Sequence, residues 1–350
     1  MVDDGAEGAH LLEFHGGIPG VRFQNGIDIR NLSFLGNEGR VYDGRRTTEL
    51  QRDTIVTSDT TPAALDALQA WVGRSETNAD VVTPQLAERL SATIESSRGA
   101  AFARGAEFPQ MWYSVLFPRV VPRSQLGRDG HPALGDFLPP VPLPKRMFAG
   151  KRIQFVAPIR IGDELERVST IASITPKQGS SGPLVFVTVR HVVSNAAGTV
   201  VVEEQDVVYR DSTLAKDGGA AKAAAAPAFE ALHRSDTIVA DAVMIFRYSA
   251  LCFNGHRIHY DQPYATQVEG YPGLVVNGGL GALCAAEHLH EAWGGARLSS
   301  LTTRNTSPLF EGVPFRVESR AGEAPGAIEF RVVTEAGKTT LQGSATKESA

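Results

Sequence analysis

The nine residues FNGHRIHYD, at positions 253–261, combine two histidines with asparagine, arginine, tyrosine and aspartate. Histidine is the side chain whose unperturbed pKa, about 6.5, suits proton transfer near neutral pH. Asn254 takes up no proton at this pH, but its amide can hold a water molecule or a carbonyl group. His256 and His259 are three positions apart, so a turn or helix places them on one face. The run is therefore a candidate proton-transfer site.

A second chemical feature follows at residues 269–283, EGYPGLVVNGGLGAL, which predict a strand ending in glycines that open a helix. Asn277 can cap this helix and Gly294 can end it. Bare backbone N–H groups at a helix N-terminus form a site for an anion or an oxyanion. A proton-transfer group beside such a site is what chemistry on a carbonyl-activated substrate requires.

Three other kinds of site compete for these residues. A zinc site would need His256 and His259 together with His288 and His290, but the last pair is two apart on a predicted helix and diverges. A dinucleotide site would need a third glycine where Cys284 stands and an acidic residue at 299–302, and both are missing. Cys284 is also a poor nucleophile, since a buried thiol in mid-helix is usually structural.

The composition limits the classes of function. With 350 residues, 42% of them hydrophobic and 21% charged, the chain has room for two or three domains. A net charge of −5 argues against a nucleic-acid or membrane surface as partner, although a local basic pocket stays open. Two cysteines, no signal pattern and no apolar run near the ~20 residues of a membrane span favour the cytoplasm.

The order of local patterns indicates two structured parts. Residues 1–62 are predicted to be an extension, a helix begins at Thr83-Pro84, and residues 214–228 form a linker. FLPPVPLPKRM at 137–147 is too rich in proline for a helix or a central strand. Strands are predicted at RIQFVAPI, DELERVSTIASI, LVFVTVRHVVS and TVVVEEQDVVYR, with a turn at 195–198 between the last two.

The second half of the chain repeats the pattern of the first. PIRIG at 158–162 matches PLFEG at 308–312, and each is followed by a strand, an Ala-Gly turn and another strand. A predicted helix precedes each set, at residue 84 and at 278–293. Helix followed by antiparallel strands, twice over, predicts an α+β fold in which a sheet wraps a helix.

The run FRYSALCFNGHRIHYDQPYA with EGYPGLVVNGGL resembles the MaoC-type hydratase/dehydratase domain of the hot-dog fold. It is most similar to the two-domain branch whose members act on mesaconyl-C4-CoA, itaconyl-CoA and 3-hydroxyacyl thioesters. LQAWVGRSET, GRDGHPALGDFLPPVPLPKRMFAG, APIRIGDELE and SGPLVFVTVRHVVS resemble the N-terminal domain of that branch, so the resemblance covers roughly residues 66–350. It implies a double hot-dog, two antiparallel sheets each wrapping a long helix, with a degenerate domain at 63–213 and a catalytic domain at 229–350.

The resemblance implies a carbon-oxygen lyase that hydrates a 2-enoyl thioester or dehydrates a 3-hydroxyacyl thioester. The wider family carries D-x-x-x-x-H where this chain has Asn254 and His259. His259 is then the catalytic base, and Asn254 orients the water or the substrate. The chain also departs from the family at Asn277 and Gly279, where histidine or glutamine and then proline are expected. Asn277 is thereby a weak candidate for contacting the acyl group.

Further roles follow from the same resemblance. The N–H groups of Gly278 and Gly279 stabilise the enolate oxygen. Tyr260 and Asp261 fix the tautomer of the catalytic histidine or hold the loop. Arg257 is a weaker candidate for binding a substrate carboxylate or a coenzyme A phosphate.

The expected reaction needs no metal and no redox cofactor, and coenzyme A enters as part of the substrate. The expected partner is a small acyl thioester, carried by coenzyme A or by an acyl carrier protein. A homodimer remains a candidate assembly. Two other functions stay open, a hot-dog thioesterase and a non-catalytic subunit that binds acyl thioesters. The identity of the acyl group cannot be read from these residues.

Overall fold

The computed structural model describes residues 62–98, 102–179, 182–210 and 229–348. The predicted linker at 214–228 and, except for residue 62, the predicted extension at 1–62 lie outside this part of the chain. The boundaries of the two domains stay predictions. Within the described residues, no helix is both long and apolar enough to cross a membrane.

Ten antiparallel strands of the described chain form a single sheet, in the order β1-β3-β4-β5-β2-β7-β10-β9-β8-β6. The predicted α+β arrangement is confirmed. The strands are β1 Ser75–Val81, β2 Lys145–Phe155, β3 Glu164–Gly179, β4 Gly182–Asn195, β5 Gly198–Arg210, β6 His233–Arg234, β7 Leu298–Asn305, β8 Phe315–Ala321, β9 Ala327–Thr334 and β10 Thr339–Lys347.

The two expected sheets are joined edge to edge by β2 of the first half and β7 of the second. Their register runs from Gly150 opposite Arg304 to Gln154 opposite Ser300. A side chain at Gly150 would collide with the backbone of β7, so glycine permits the strands to approach here. The pairing satisfies the backbone groups that two separate sheets would each leave open at an edge.

Four helices accompany the sheet in the described part of the chain: α1 Pro62–Ala67, α2 Pro84–Ile94, α3 Ala242–Leu251 and α4 Gly278–Ala292. The predicted start of α2 is confirmed, since the Thr83 side chain accepts a hydrogen bond from the Leu86 N–H at 3.1 Å. The predicted end of α4 is also confirmed, because Gly294 follows it with a φ of 71°.

The predicted repeat is visible in the backbone, but the halves differ in their helices. Residues 158–162 and 308–312 make the same bend, and each forms an isolated bridge, Glu107 with Arg160 and Val275 with Phe310. After the second bridge α4 begins, whereas the first is followed by a short 3-10 helix, Gln110–Val115. The helix α2 packs instead on α3. The site at the start of α4 therefore has no α-helical counterpart in the described first half.

Two local predictions were wrong. Residues 145–147, the end of the proline-rich run, belong to β2, which is a central strand because the prolines stop just before it. The segment before α4 is extended but not a strand, since only Val275 forms a bridge there. It is held instead by single hydrogen bonds to its neighbours on both sides.

The helix α4 is the centre of the core. Its residues from Leu280 to Leu289 are buried, including the charged Glu287. Glu287 accepts hydrogen bonds from the Trp112 indole at 2.9 Å and from the Arg98 guanidinium at 2.9 Å. These partners come from the first half, so the two halves share one core around α4.

Candidate active site

His259 ends a one-turn 3-10 helix, Arg257–His259, and its side chain is buried. Its Nδ1 lies 2.6 Å from the carbonyl oxygen of Val275. Because a carbonyl oxygen only accepts, the ring proton must sit on Nδ1, which leaves Nε2 as an acceptor. His259 lines the large cleft of the molecule, so this nitrogen can take a proton from a bound ligand.

The contact with Val275 also limits the distance between His259 and the start of α4. The N–H of Val275 donates to the carbonyl of Ile258 at 3.0 Å, so the histidine turn and this segment run side by side. The helix α4 begins three residues later, at Gly278. Because an extended chain covers at most about 3.6 Å per residue, the helix start lies within about 11 Å of Val275.

Burial lowers the pKa of His259 to about 4, because the imidazolium form loses its hydration. The hydrogen bond to Val275 acts in the opposite direction, and His131 lowers the pKa further. The ring is therefore neutral at physiological pH. A neutral, oriented imidazole with a free Nε2 has the state that a general base requires.

Asn254 lies three residues after the last residue of α3, and the end of this helix adopts the Schellman geometry. The Phe253 N–H donates to the Ala250 carbonyl at 3.2 Å, and the Asn254 N–H donates to the Ser249 carbonyl at 2.8 Å. The Asn254 Oδ1 accepts from the His256 N–H at 3.0 Å. Since one lone pair of Oδ1 is used within the loop, Asn254 offers the cleft its Nδ2 hydrogens and the other lone pair of Oδ1.

Phe253 occupies a left-handed position, with a φ of 51°, that usually holds glycine. We expect Phe253→Gly to raise the free energy of unfolding by about 1 kcal/mol, because the strain of a β-carbon there disappears. The phenyl ring is 60% exposed, so little burial is lost. Urea denaturation of the variant and the wild type measures this difference. A lower midpoint for the variant would show that the phenyl ring contributes more than its exposure indicates.

The start of α4 presents the two predicted glycines to the cleft. Gly278 is exposed and Gly279 is half-buried, and both line the cleft. N–H groups in the first turn of a helix have no partner within the helix, so these two can donate to a ligand. A β-carbon at Gly279 would collide with the Tyr248 hydroxyl. Glycine is therefore needed here for close packing, and it leaves the helix start open.

Asn277 occupies the predicted N-cap position, but its side chain does not cap the helix. The side chain is buried, and its Nδ2 donates to the Ser249 hydroxyl at 3.2 Å. The predicted capping bond is thus wrong, because the nearby end of α3 offers a competing partner. Asn277 still lines the cleft, so its predicted contact with the acyl group stays a prediction.

Arg257 is held inside its own loop. Its Nε and Nη2 donate to the Asp261 carboxylate at 3.0 and 2.7 Å, and Nη1 donates to the Arg128 carbonyl at 3.2 Å. Its guanidinium also covers the Tyr264 ring at 4.1 Å. It lies outside the set of described residues that line the cleft. Arg257 therefore holds the loop in this structure, and its predicted role in binding substrate stays a prediction.

Asp261 and Tyr260 hold the loop, which is one of the two roles predicted for them. Asp261 binds Arg257, and the Tyr260 hydroxyl donates to the Gly255 carbonyl at 3.1 Å. The other predicted role, fixing the tautomer of His259, belongs to the Val275 carbonyl. The correction has a simple cause, since Asp261 is engaged by Arg257 and the Tyr260 hydroxyl by the Gly255 carbonyl.

A loop from the first half meets the histidine loop, and sequence reasoning did not assign it. Asp129 and His131 line the same cleft as His259. The His131 ring lies on the His256 ring, with centroids 4.0 Å apart, and His256 in turn lies 5.4 Å from the His259 ring. The signal was the run DGH at 129–131, a carboxylate and an imidazole separated by one glycine.

The cleft has a volume of about 2380 Å³, more than the roughly 300–1,000 Å³ of drug-sized sites, and it is lined by both halves. Of its acidic residues, Asp206 and Glu269 pair with a basic side chain, and Asp129 accepts a hydrogen bond from the His131 ring. Basic side chains outnumber them, although the whole chain is acidic. The basic lining residues are Arg119, Arg123, Arg128, Lys145, Arg146, Arg152, Lys177, Arg210, Arg304 and Lys338.

The additional histidines of the zinc hypothesis, and Cys284, lie outside the cleft lining. The His288 Nε2 is hydrogen-bonded to the Ser319 hydroxyl at 3.0 Å, while the His290 ring packs near Gly295. These two histidines therefore diverge on α4 as predicted. Burial raises the pKa of Cys284 to about 12, so its thiol stays protonated.

The family of hydroxyacyl-thioester dehydratases type 2 matches residues 111–311 of the chain. A curated relative from Chloroflexus aurantiacus, mesaconyl-C(4)-CoA hydratase, is 43% identical over 251 residues, which are 72% of this chain and 88% of the relative. The mitochondrial hydroxyacyl-thioester dehydratase type 2 of Schizosaccharomyces pombe is 38% identical over 77 residues, 21% of this chain and 26% of the relative.

Solved structures with low sequence identity share the fold. A MaoC-like dehydratase from Phytophthora capsici superposes with a TM-score of 0.59 at 16% identity, covering 82% of this chain and 99% of that one. A double hot-dog protein from Mycobacterium tuberculosis gives a TM-score of 0.53 at 14% identity, covering 81% and 98%. The continuous sheet around α4 is thus the double hot-dog that the sequence predicted. Together, the family match over residues 111–311 and the 43% identical relative establish that this chain belongs to the hydroxyacyl-thioester dehydratase type 2 family of MaoC-type hydratases and dehydratases.

Proposed function

We propose that this chain reversibly adds water to the double bond of a 2-enoyl-CoA thioester that carries a mesaconyl-C4 type of acyl group. One observation carries the proposal: the buried His259 is hydrogen-bonded to Val275, three residues before the open N-terminus of α4. The name of the relative from Chloroflexus aurantiacus supports the choice of acyl group. The basic lining of the cleft supports a ligand that carries phosphates or a carboxylate.

The α4 N-terminus stabilises the charge that develops during the reaction. When water attacks Cβ of the enoyl group, the π electrons move to the thioester oxygen and form an enolate. The N–H groups of Gly278 and Gly279 donate to this oxygen, in addition to the favourable end of the helix dipole. The interaction strengthens as the negative charge grows, so it lowers the barrier.

The histidine loop supplies the water and the proton. His259 Nε2 accepts a proton from the attacking water and returns it to Cα, which completes the addition of H and OH. The Asn254 amide donates a hydrogen bond to the water or the substrate and so holds it in line for attack. The proposed chemistry uses no metal and no redox cofactor, and coenzyme A takes part only as a portion of the substrate.

The experiment that tests this function is an assay of the purified chain against a panel of CoA esters. Loss of the enoyl-thioester absorbance is followed with mesaconyl-C4-CoA and crotonyl-CoA, hydration of itaconyl-CoA, whose double bond is not conjugated with the thioester, is followed by NMR spectroscopy, and a thiol reagent records free coenzyme A. We expect absorbance loss without thiol release, fastest with an acyl group that carries a carboxylate. Thiol release would identify a thioesterase, and tight binding without turnover would identify a non-catalytic subunit.

The pH dependence of kcat/KM is predicted by the lowered pKa of His259. The base is active when neutral, and its pKa of about 4 keeps it neutral well below the ordinary range of histidine. We therefore expect kcat/KM to stay level from about pH 8 to about pH 5 and to fall near pH 4. Circular dichroism at each pH restricts the profile to the folded protein. An acid limb centred near pH 6.5 would contradict the buried state of the ring.

A further inference from the structure

The loop that carries Asp129 and His131 is docked tightly onto the histidine loop. The Arg257 N–H donates to the Asp129 carbonyl at 2.9 Å. Gly130, with a φ of 86°, lies against Gly255 so closely that a β-carbon would collide with the Gly255 carbonyl. Two apposed glycines permit this approach, which places the side chains of positions 129 and 131 beside His256, whose ring lies 5.4 Å from that of His259.

Asp129 fixes the tautomer of His131 with both of its oxygens. Oδ1 accepts from the backbone N–H of His131 at 3.0 Å, and Oδ2 lies 2.9 Å from the ring Nδ1. Burial would raise the pKa of Asp129, but the hydrogen bonds from His131 hold it well below the ordinary value. Asp129 is therefore ionised and accepts the Nδ1–H, which leaves Nε2 of His131 as an acceptor.

The remaining nitrogen of His131 is free to meet a ligand. Burial lowers the pKa of His131, so the ring is neutral at physiological pH. Within the described part of the chain, Nε2 has no hydrogen-bond partner, and the side chain is 24% exposed on the wall of the cleft. Polar atoms of Asp129, His131 and His256 lie within 4.8 Å of one another, and His256 bridges to His259.

The hydrogen bonds of the attacking water show which acceptors the active site must supply. A water molecule that attacks Cβ must point a lone pair at that carbon, so its two hydrogens need two acceptors. His259 Nε2 is one acceptor. The Asn254 Oδ1 already accepts from the His256 N–H, which turns one of its two lone pairs into the loop, and its Nδ2 only donates. The second acceptor is therefore either the other lone pair of Oδ1 or a group on the apposed loop. The His131 Nε2 is an unoccupied acceptor on the apposed loop.

We propose that His131 is a second catalytic acceptor for the attacking water, and that Asp129 is the positioning residue that keeps its Nε2 unprotonated. The first half of the chain thus completes the active site of the second. This inference rests on the proposed hydratase function and adds a residue to it.

The step balances with both histidines in place. One water hydrogen is bound by His131 Nε2, and the other moves to His259 Nε2 while the oxygen forms its bond to Cβ. The π pair passes to the thioester oxygen. The enolate then collapses, and the proton on His259 is transferred to Cα, so both rings end neutral. His131 holds the water throughout and gains no net proton.

The test compares His131→Ala, Asp129→Asn and the double variant in the hydration assay. We expect each single variant to lose at least tenfold in kcat with KM within threefold, because a misplaced water reacts slowly. In Asp129→Asn, one side-chain oxygen replaces the two that accept from the backbone N–H and the ring Nδ1–H of His131. The NH₂ group of the asparagine can then face Nδ1 and donate to it, which moves the ring proton of His131 to Nε2. The double variant should be no slower than His131→Ala, since both changes remove the same acceptor.

A second readout separates this role from loop support. Imidazole added to the buffer should restore part of the kcat of His131→Ala by supplying an acceptor through the open cleft, and should not restore Asp129→Asn. The matched control is Asp136→Asn, which removes an exposed charge from the same segment outside the cleft lining. A loss below tenfold in both single variants would overturn the inference. A loss without recovery by imidazole would also overturn it.

The two proposals fail in distinguishable ways. If the wild type hydrates none of the enoyl-CoA esters, the proposed function itself is wrong. If the wild type is active, His259→Ala is inactive and His131→Ala is fully active, only the second acceptor is wrong. Thermal unfolding of every variant, followed by circular dichroism, shows that the comparison concerns folded protein.

Discussion

Replacing His259 by alanine is expected to lower kcat by about 10²–10⁴-fold, the usual contribution of a general acid–base group. The ring is the base in the proposed reaction, and His259 lines the cleft. Alanine also leaves the buried Val275 carbonyl without its donor, which costs about 1–3 kcal/mol of folding free energy. Initial rates at saturating substrate, together with urea unfolding, measure the two effects separately.

Two variants serve as controls for this prediction. His259→Asn retains an N–H group close to the position of Nδ1 but has no base, so it should fold better than the alanine variant and be equally slow. His288→Gln changes another buried histidine, one bonded to Ser319 outside the cleft lining, and should leave kcat unchanged. Activity of His259→Asn near that of the wild type would remove His259 from the mechanism.

Gly279→Ala is expected to lower kcat/KM by about 10²-fold and to cost about 1–3 kcal/mol of stability. The added β-carbon would collide with the hydroxyl of Tyr248, a buried residue of α3. Either Tyr248 or the first turn of α4 must then shift. Because the proposed oxyanion donors lie in that turn, a small displacement weakens them in the transition state.

A second substitution, at Tyr248, should relieve the collision that Gly279→Ala creates. Tyr248→Phe removes the hydroxyl and leaves the nearest ring carbon 3.3 Å from the position that the new β-carbon would take, which is tight but tolerable. The double variant Gly279→Ala with Tyr248→Phe should therefore recover at least tenfold of the lost kcat/KM. Steady-state kinetics of the two single variants and the double variant measure the coupling. Strict additivity of the losses would show that the glycine acts in some other way.

Features with a local signal were predictable from the sequence. The cap at Thr83, the stop at Gly294 and the strands on either side of the 195–198 turn depend on neighbouring residues, and the structure has all of them. The run around His259 was recognisable because its residue types and the following glycines are adjacent in sequence. A local pattern of this kind records the physics of one turn or one strand.

Features that depend on distant partners were not predictable. The direction of the Asn277 side chain is decided by Ser249, and the role of Arg257 by Asp261 and the Arg128 carbonyl. The approach of His131 to His256 requires two loops from different halves of the chain to dock. No periodicity within either loop records that contact. The joining of two sheets through β2 and β7 is hidden for the same reason.

The most direct test of the hydratase proposal is the reaction of mesaconyl-C4-CoA with the purified chain in D₂O, followed by NMR spectroscopy. The account predicts a product with an intact thioester, a hydroxyl group on Cβ and one deuterium on Cα, and none of this product with His259→Ala. Release of free coenzyme A from an unchanged acyl chain, or equal product formation by His259→Ala, would contradict it.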